Sequence, residues 1–529
     1  MKKSILSFIV FCCLNVFAAS TYYVSVDGTA EADCSQENPG TLAAALAKAS
    51  AGSSWETGDT IIIKDGFYQF DNSSDKHCYT IDIPFLRLRS ESGEPEKVLF
   101  VGKHSEKIRF RGFNVNGPAI IEGVTFTNFY STYSGGALNA SSSELGAVTV
   151  TNCHFIKNLT ENAGSKYHNG PANGGIYIDC GFYTNTHSVS GGYAQGGVAS
   201  DCVVINCEFI GNNASFGGGI GRSYATNCLF ISNTSGSNAG AADASHAYGC
   251  TFISNSVTAF GGAMNGGSAI NCKFIANSAK RGGAVSSTVT VDCEFSKNYS
   301  SGEGGAVYQG AHTNGYFYGN VGGGGSVGNG AKFFNCSVIN SAAGSYGAFS
   351  NGCTVQNSFI YANTNSQYVV GGGKFVNCLI KDNRVTNDRF VISGGALINC
   401  TLVGNVPGSS YGVVYGSTIT NTIFYGNTRR DTRACTFVSS LYQTDMSSTF
   451  NTNYPSQLIL DSPFMEDRRP SAPYTPALNS PAINAGVPIA TNLTCIADFY
   501  GNKRIHHDRI DIGCAEHWPL SPPTFFMFR

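Results

Sequence analysis

Residues 268–285 read SAINCKFIANSAKRGGAV. In that stretch Cys272 is followed two places later by Phe274 and three places after that by Asn277, and then by Gly282-Gly283-Ala284-Val285. Two readings compete. Cys, Lys, Arg and Asn crowded together can form an active site, or the stretch can be one rung of a repeating scaffold.

The spacing recurs, and that decides between them. Asn206-Cys207-Glu208-Phe209 leads to Asn212, Asn227-Cys228-Leu229-Phe230 to Asn233, Gly249-Cys250-Thr251-Phe252 to Asn255, and Asp292-Cys293-Glu294-Phe295 to Asn298. The series weakens through Gly315, Phe317 and Asn320, then Cys336, Val338 and Ser341, then Ser358, Ile360 and Asn363. It closes with Cys378, Ile380, Asn383; Cys400, Leu402, Asn405; and Thr422, Phe424, Asn427. From Cys207 to Thr422 every step is 20 to 22 residues; the two earlier steps, from Cys153 and Cys180, are 27 and imply insertions. A fixed period over most of a chain is the mark of a repeat architecture.

Within a rung, positions n and n+2 are apolar while n+1 is often polar (Glu208, Lys273, Glu294). That alternation is a strand with one buried face. The repeat is too short for two helices, and it lacks the leucine framework of leucine-rich repeats. Three short strands and three turns fill ~21 residues. The expected fold is all-β: a right-handed, single-stranded parallel β-helix of 20–22 residues per coil over the regular stretch. Phe at n+2 then stacks inward on the Phe of the next coil, Cys at n fills space beside it, and Asn at n+5 turns the corner in a left-handed conformation and bonds to the Asn above and below. The pairs Gly282-Gly283, Gly304-Gly305 and Gly394-Gly395 turn the chain where a Cβ would clash.

Charged residues make up only 13% of the 529, and the formal net charge is −2, so no global field favours nucleic acid. Lys2, Lys3, the apolar run SILSFIVFCCLNVFA and the small residues Ala18-Ala19-Ser20 have the form of an export signal, with cleavage after Ser20. No later segment is long and apolar enough to be a membrane helix, so no integral membrane segment is expected after its removal. The expected organisation is residues 1–20 as signal peptide, 21–120 as N-terminal cap and first coils, 121–430 as regular repeat, and 431–529 as C-terminal cap and tail. In the N-terminal cap, Thr41 is placed to cap a short helix, LAAALAKA, that covers the open end of the core. The ladder cysteines are read as buried thiols, because in-register Cβ vectors suit a disulfide poorly. Outside the ladder, Cys34 with Cys78 and Cys495 with Cys514 are the pairs placed for bridges.

Three clusters stand outside the scaffold reading. Lys280 and Arg281 are the best basic pair on the solenoid for a catalytic base, with Glu294 and Glu303 the nearest acids; the alternative is a solvated turn. Asp27, Glu31 and Asp33, with Glu37, form an acidic loop that can bind Ca²⁺ weakly, although no EF-hand spacing is present. His506-His507-Asp508 can be read as a metal site, against which adjacent strand residues point to opposite faces.

The GGA and NCxF elements followed by Asn resemble right-handed parallel β-helix proteins related to the polymorphic outer-membrane proteins. SPAINAG (480–486) and DFYGNKRIHHDRIDIGCAE (498–516) resemble the C-terminus of exported bacterial β-helix proteins of the choice-of-anchor Q type, as do the opening YYVSVDGT, NPGTL and GDTI. Two features depart from that pattern: Cys514 stands where a small apolar residue is usual, and no sorting helix follows Glu516. The resemblance implies an extracellular or cell-surface location. The expected function is a secreted or surface scaffold for adhesion or binding to a polysaccharide or host glycan, without catalysis or cofactor. The alternative is a polysaccharide lyase or glycoside hydrolase acting on an acidic polysaccharide.

Overall fold

The computed structural model describes residues 19–70, 77–103, 111–140, 147–163, 169–190, 196–344, 347–408, 412–446, 448–450, 452–453, 455–464, 473–487, 497–505 and 509–517. The expected signal peptide up to residue 18 and the His506-His507-Asp508 cluster lie outside the described residues.

Each coil runs through short strands that pair only with the coils before and after, always in parallel. In the coil opened above, Ser268–Ile270 belongs to ladder I, Lys273–Ile275 to ladder II, Ser278–Arg281 to ladder III and Val285–Ser286 to ladder IV. Four ladders, rather than the three strands per coil expected, result because the segment after the ladder Asn pairs in its own right. The chain is a right-handed parallel β-helix. Ladder I has 19 strands, which at ~4.8 Å per step gives a rod of about 86 Å. The recognisable rungs alone imply ~60 Å. The additional coils, such as those of Ile61, Leu88 and Ile121, bury aliphatic side chains together with Phe70, Phe100, Phe113 and Phe126, and do not carry the full Cys–Phe–Asn signature.

In the regular coils the corners around ladder II turn on a left-handed residue. Asn206, Asn227 and Asn271 take φ near 53° between ladders I and II, and Ser232, Ser254 and Ala276 do so between II and III. The left-handed residue is therefore the one before the ladder Asn, not the ladder Asn itself. Asn preceding Cys in the NC motif takes this conformation at little cost.

The inward columns are continuous. Phe126, Phe155, Phe182, Phe209, Phe230, Phe252, Phe274, Phe295 and Phe317 stack with centroids 4.5–4.9 Å apart and planes within 14°. All are fully buried. Beside them the ladder Asn column closes a complete hydrogen-bond circuit. Asn277 Nδ2 donates to Phe252 O and to Asn298 Oδ1, while its own Oδ1 accepts from the backbone N and Nδ2 of Asn255. The amide thus satisfies the backbone that the corner leaves unpaired.

The cysteine column does the same at the preceding corner. Cys272 Sγ donates to Ile270 O at 3.2 Å and accepts the Cys250 backbone N–H at 3.4 Å. Where the cysteine is replaced, Ser358 and Thr422 hydroxyls accept that same bond from Cys336 and Cys400. The described cysteines whose side chains are placed are unbridged and buried, among them Cys34 and Cys514. The bridges expected from Cys34 and Cys514 are therefore not formed; the side chain of Cys78 and the whole of Cys495 lie outside the described residues. Burial pushes the Cys153 and Cys202 thiols up to about 12.

A Cβ at Gly283 would stand 2.1 Å from Gly305 O, and one at Gly282, where φ is 65°, would stand 2.2 Å from Val285 O. Gly394-Gly395 is different: it separates ladder IV strand Ile392–Ser393 from ladder I strand Ala396–Ile398. The letters are those of the Gly282 corner, but the next Cys follows Gly395 by five residues and Gly283 by ten. At the N-terminal end Thr41 Oγ1 accepts the Ala44 N–H and caps helix Leu42–Lys48, whose Leu42 and Ala45 join the same core as Val24 and Ile61.

The C-terminal signatures converge. Asp498 accepts from the backbone N–H groups of Tyr500, Asn502 and Glu516, and Arg504 Nη1 lies 3.0 Å from Glu516 Oε1. All four charged residues of the knot, Asp498, Arg504, Asp511 and Glu516, are buried. Burial raises Glu516 to about 8 despite the neighbouring guanidinium. This knot lies against the corner between ladders I and II. Asn421 pairs through its side-chain amide with the N–H and C=O of Val487, Asn377 Nδ2 donates to Ala497 O, and Thr401 Oγ1 accepts from Cys514 N.

Candidate functional site

Arg281 ends a ladder III strand and is not in a turn, because that segment pairs with Tyr299–Glu303 across a bulge. Its Nε lies 3.1 Å from Glu303 Oε2, and its guanidinium is 5.4 Å from the Phe260 ring and 5.6 Å from the Tyr308 ring. A guanidinium held between two rings and a carboxylate is a fixed positive post with one exposed edge. Lys280 is exposed on the same strand, where its carbonyl accepts from Ser300 Oγ. Glu294 belongs to ladder II and faces Lys273 at 3.9 Å, away from this cluster.

Asp27, Glu31, Asp33 and Glu37 are all exposed. Asp33 Oδ1 accepts the Ser35 N–H, and that bond holds its carboxyl below the usual range. Among the described residues no group of three or more His, Cys, Asp and Glu gathers to hold a metal ion.

A groove lies on the edge between ladders III and IV. Ladder III runs from Tyr130 to its last strand at Arg384–Val385. In that coil Thr386 and Asn387 donate their backbone N–H groups to Asn365 O and Ser366 O of the coil before, Arg389 O accepts from Gly408 N of the coil after, and the chain then reaches ladder IV at Ile392. The groove, about 700 Å³, is lined by Gln367, Asn387, Asp388, Arg389, Phe390, Tyr415 and Arg433. Phe390 and Tyr415 stack at 4.7 Å with planes 22° apart, and Arg433 is the strand neighbour of Tyr415. An aromatic face, two guanidinium groups and two side-chain amides converge there with a single carboxylate.

These groove residues were not singled out from the sequence. The available signal was local: NDRF (387–390) and TRRDTR (428–433) bring basic residues to the same part of the coil, although the whole chain is nearly neutral.

A second groove, about 400 Å³, follows the corner between ladders I and II and is lined by Lys273, Asp292, Glu294, Asn314 and Tyr316, with Asn271, Cys272 and Cys293 at its base. Asn314 Nδ2 donates to Asp292 Oδ1 at 2.8 Å. Exposed aromatics also stand on the outer faces: Tyr224 stacks on His246, and Tyr248 and Phe334 lie further along ladder I.

No protein-family model matches this chain, and no curated protein matches it. Among solved structures, the pectate lyase Pel9A is similar over 94% of this chain and 96% of its own, at 13% identity and a TM-score of 0.26. The alginate lyase AlyF-OU02 in complex with G6 is similar over 76% and 88%, at 13% identity and a TM-score of 0.33. The tailspike protein of E. coli bacteriophage HK620 in complex with a pentasaccharide is similar over 81% and 78%, at 12% identity and a TM-score of 0.29. Similarity at these levels says nothing of activity. No helix among the described residues is long and apolar enough to cross a membrane.

Proposed function

We propose that this protein is an exported, cell-surface or secreted β-helix scaffold that binds glycan in the groove where ladder III ends, without transforming it. The observation that carries this reading is the stacked pair Phe390–Tyr415 beside Arg389 and Arg433, with Gln367 and Asn387 at hand. The apolar face of a sugar ring stacks on an aromatic face, and hydroxyls bond to amides and guanidinium groups. Hydrolysis by paired carboxylates needs two acids flanking the bond, and among the described residues lining this groove Asp388 is the one carboxylate. The export-signal pattern and the terminal signatures support the surface location and the relationship to outer-membrane and anchored β-helix proteins.

The test is affinity electrophoresis of the purified chain through gels containing soluble acidic and neutral polysaccharides. At least one should retard the protein, and Tyr415→Ala should abolish the retardation. Free migration in every gel, or full retardation of Tyr415→Ala, overturns the reading.

A catalytic alternative rests on the smaller groove, where Lys273, Asp292, Glu294 and Tyr316 meet. It requires a uronate polymer to yield unsaturated product absorbance, or a glycan to yield reducing ends. Either activity should be lost in Glu294→Gln.

A further inference from the structure

The corner between ladders I and II carries an outward column of side-chain amides. Asn271, Asn314, Asn335, Asn377, Asn399 and Asn421 stand in it, each left-handed, with φ between 48° and 59°. The amides link in one way along the rod. Asn314 Nδ2 donates to Asp292 Oδ1 one coil before, Asn377 Nδ2 to Asn357 Oδ1, and Asn421 Nδ2 to Asn399 Oδ1. An amide that donates one N–H along the column keeps a second N–H for a partner outside the rod.

At the C-terminal end that partner is visible, and it is polypeptide backbone. Asn421 Oδ1 accepts the Val487 N–H at 2.9 Å, and Asn421 Nδ2 donates to Val487 O at 3.0 Å. One residue's N–H and C=O thus meet the C=O and N–H of one amide, as they would meet a neighbouring strand. Asn377 Nδ2 donates in the same way to Ala497 O. The column is walled by apolar residues here. Val376 precedes Asn377 on the ladder I side, while Leu379 and Ile423 follow Asn377 and Asn421 by two places on the ladder II side. All three are buried, and a Cβ at Gly513 of the cap would stand 2.7 Å from Ile423 Cδ1. The segment held is Ala485-Gly486-Val487, which is small and aliphatic.

Five coils before Asn421 the same arrangement is uncovered. Asn271, Asn314 and Asn335 are exposed. Beyond its bond to Asp292, Asn314 has an N–H and its Oδ1 without hydrogen-bond partners among the described residues. The walls are again apolar: Ile270 and Phe334 precede Asn271 and Asn335 on the ladder I side, and Tyr316 follows Asn314 by two places on the ladder II side. These walls are 40–43% exposed, and the smaller groove runs along them. Exposed apolar side chains gathered around unused hydrogen-bonding groups mark a contact surface.

We infer that the corner at Asn314 docks an extended segment of a separate polypeptide, paired through its backbone to Asn314 as Val487 is paired to Asn421, with small or aliphatic side chains set against Phe334 and Tyr316. The interface that already holds the cap continues along the corner to this edge. The glycan groove lies on another corner of the coil, so either site can exist without the other.

The test is fluorescence anisotropy of a labelled peptide, PAINAGVPI, the sequence of residues 481–489, titrated with the full chain. The peptide should bind saturably, and Asn314→Gly should weaken it about tenfold or more, since two hydrogen bonds are lost. Glycine already fills the equivalent corner as Gly249, with φ 63°, so the fold accepts the variant. Tyr316→Ser, which copies Ser337 of the next coil, should weaken binding too. Methylating the valine nitrogen of the peptide removes the donor and should cost about fivefold. Tyr415→Ala should leave peptide binding unchanged. No saturable binding, or indifference to N-methylation, overturns the inference. Full binding by Asn314→Gly overturns it also, because the peptide would then be displacing the cap at Asn421. Displacement of the peptide by polygalacturonate or dextran would give the corner to a glycan, and a dimer in sedimentation that Asn314→Gly dissociates would give it to a second copy; either result overturns the assignment to a separate polypeptide.

Discussion

Replacing Asn277 by Ala tests what holds neighbouring coils together. The side chain makes four hydrogen bonds in a fully buried corner: two accepted from Asn255 and two donated, to Phe252 O and Asn298 Oδ1. Alanine leaves the Asn255 backbone N–H and one Asn255 amide N–H without partners, and no solvent reaches them. Each buried orphan costs about 1–3 kcal/mol, so the substitution should remove at least about 2 kcal/mol. Coils contact only their neighbours, so the loss is local in origin although it lowers the stability of the whole rod. The assay is urea unfolding followed by far-UV circular dichroism, with exposed Lys280→Ala as a control expected within about 0.5 kcal/mol of the parent. A loss for Asn277→Ala below about 1 kcal/mol, or equal to that of Lys280→Ala, would refute the claim that the amide column stabilises the fold.

Ser341→Asn should stabilise the rod, because Ser341 interrupts the amide column between Asn320 and Asn363. An amide there can restore the missing bonds for a net gain of about 1–2 kcal/mol, and a lower urea midpoint would show that this corner has no room for it. His312 is buried, its Nδ1 accepting from Thr290 Oγ1 and its Nε2 donating to Gln309 O, and burial lowers it to about 4 from 6.5. The unfolded chain therefore binds the proton first. The stabilisation is fully present above pH 6.5, declines as the pH falls, and is exhausted near pH 4, a span of about 3 kcal/mol. Urea midpoints at intervals across that range should fall for the parent and fall less for His312→Gln; parallel curves would refute the assignment.

The repeat was legible because a β-helix stacks like on like. A residue pointing into the core meets its equivalent one coil away, so Phe252, Phe274 and Phe295 had to share a period in the chain before they could share a column in space. The same logic identified Ser358 and Thr422 as stand-ins for the ladder cysteine, since a hydroxyl can take over the sulfur's bond. What the local pattern could not supply was where each corner lies around the coil. Gly394-Gly395 shares its letters with Gly282-Gly283 but occupies another turn, and Arg281 pairs within a ladder instead of projecting from a loop.

The sequence by itself determined the period, the inward columns and the parallel stacking, because these follow from alternation and from interactions between equivalent positions one coil apart. Only the tertiary structure decided that Gln367, Arg389, Phe390, Tyr415 and Arg433 meet in one groove. Only there does the C-terminal knot rest on Asn377 and Asn421. Such placements depend on how many residues each corner absorbs, and those small offsets accumulate along the rod without leaving a repeated mark in the chain.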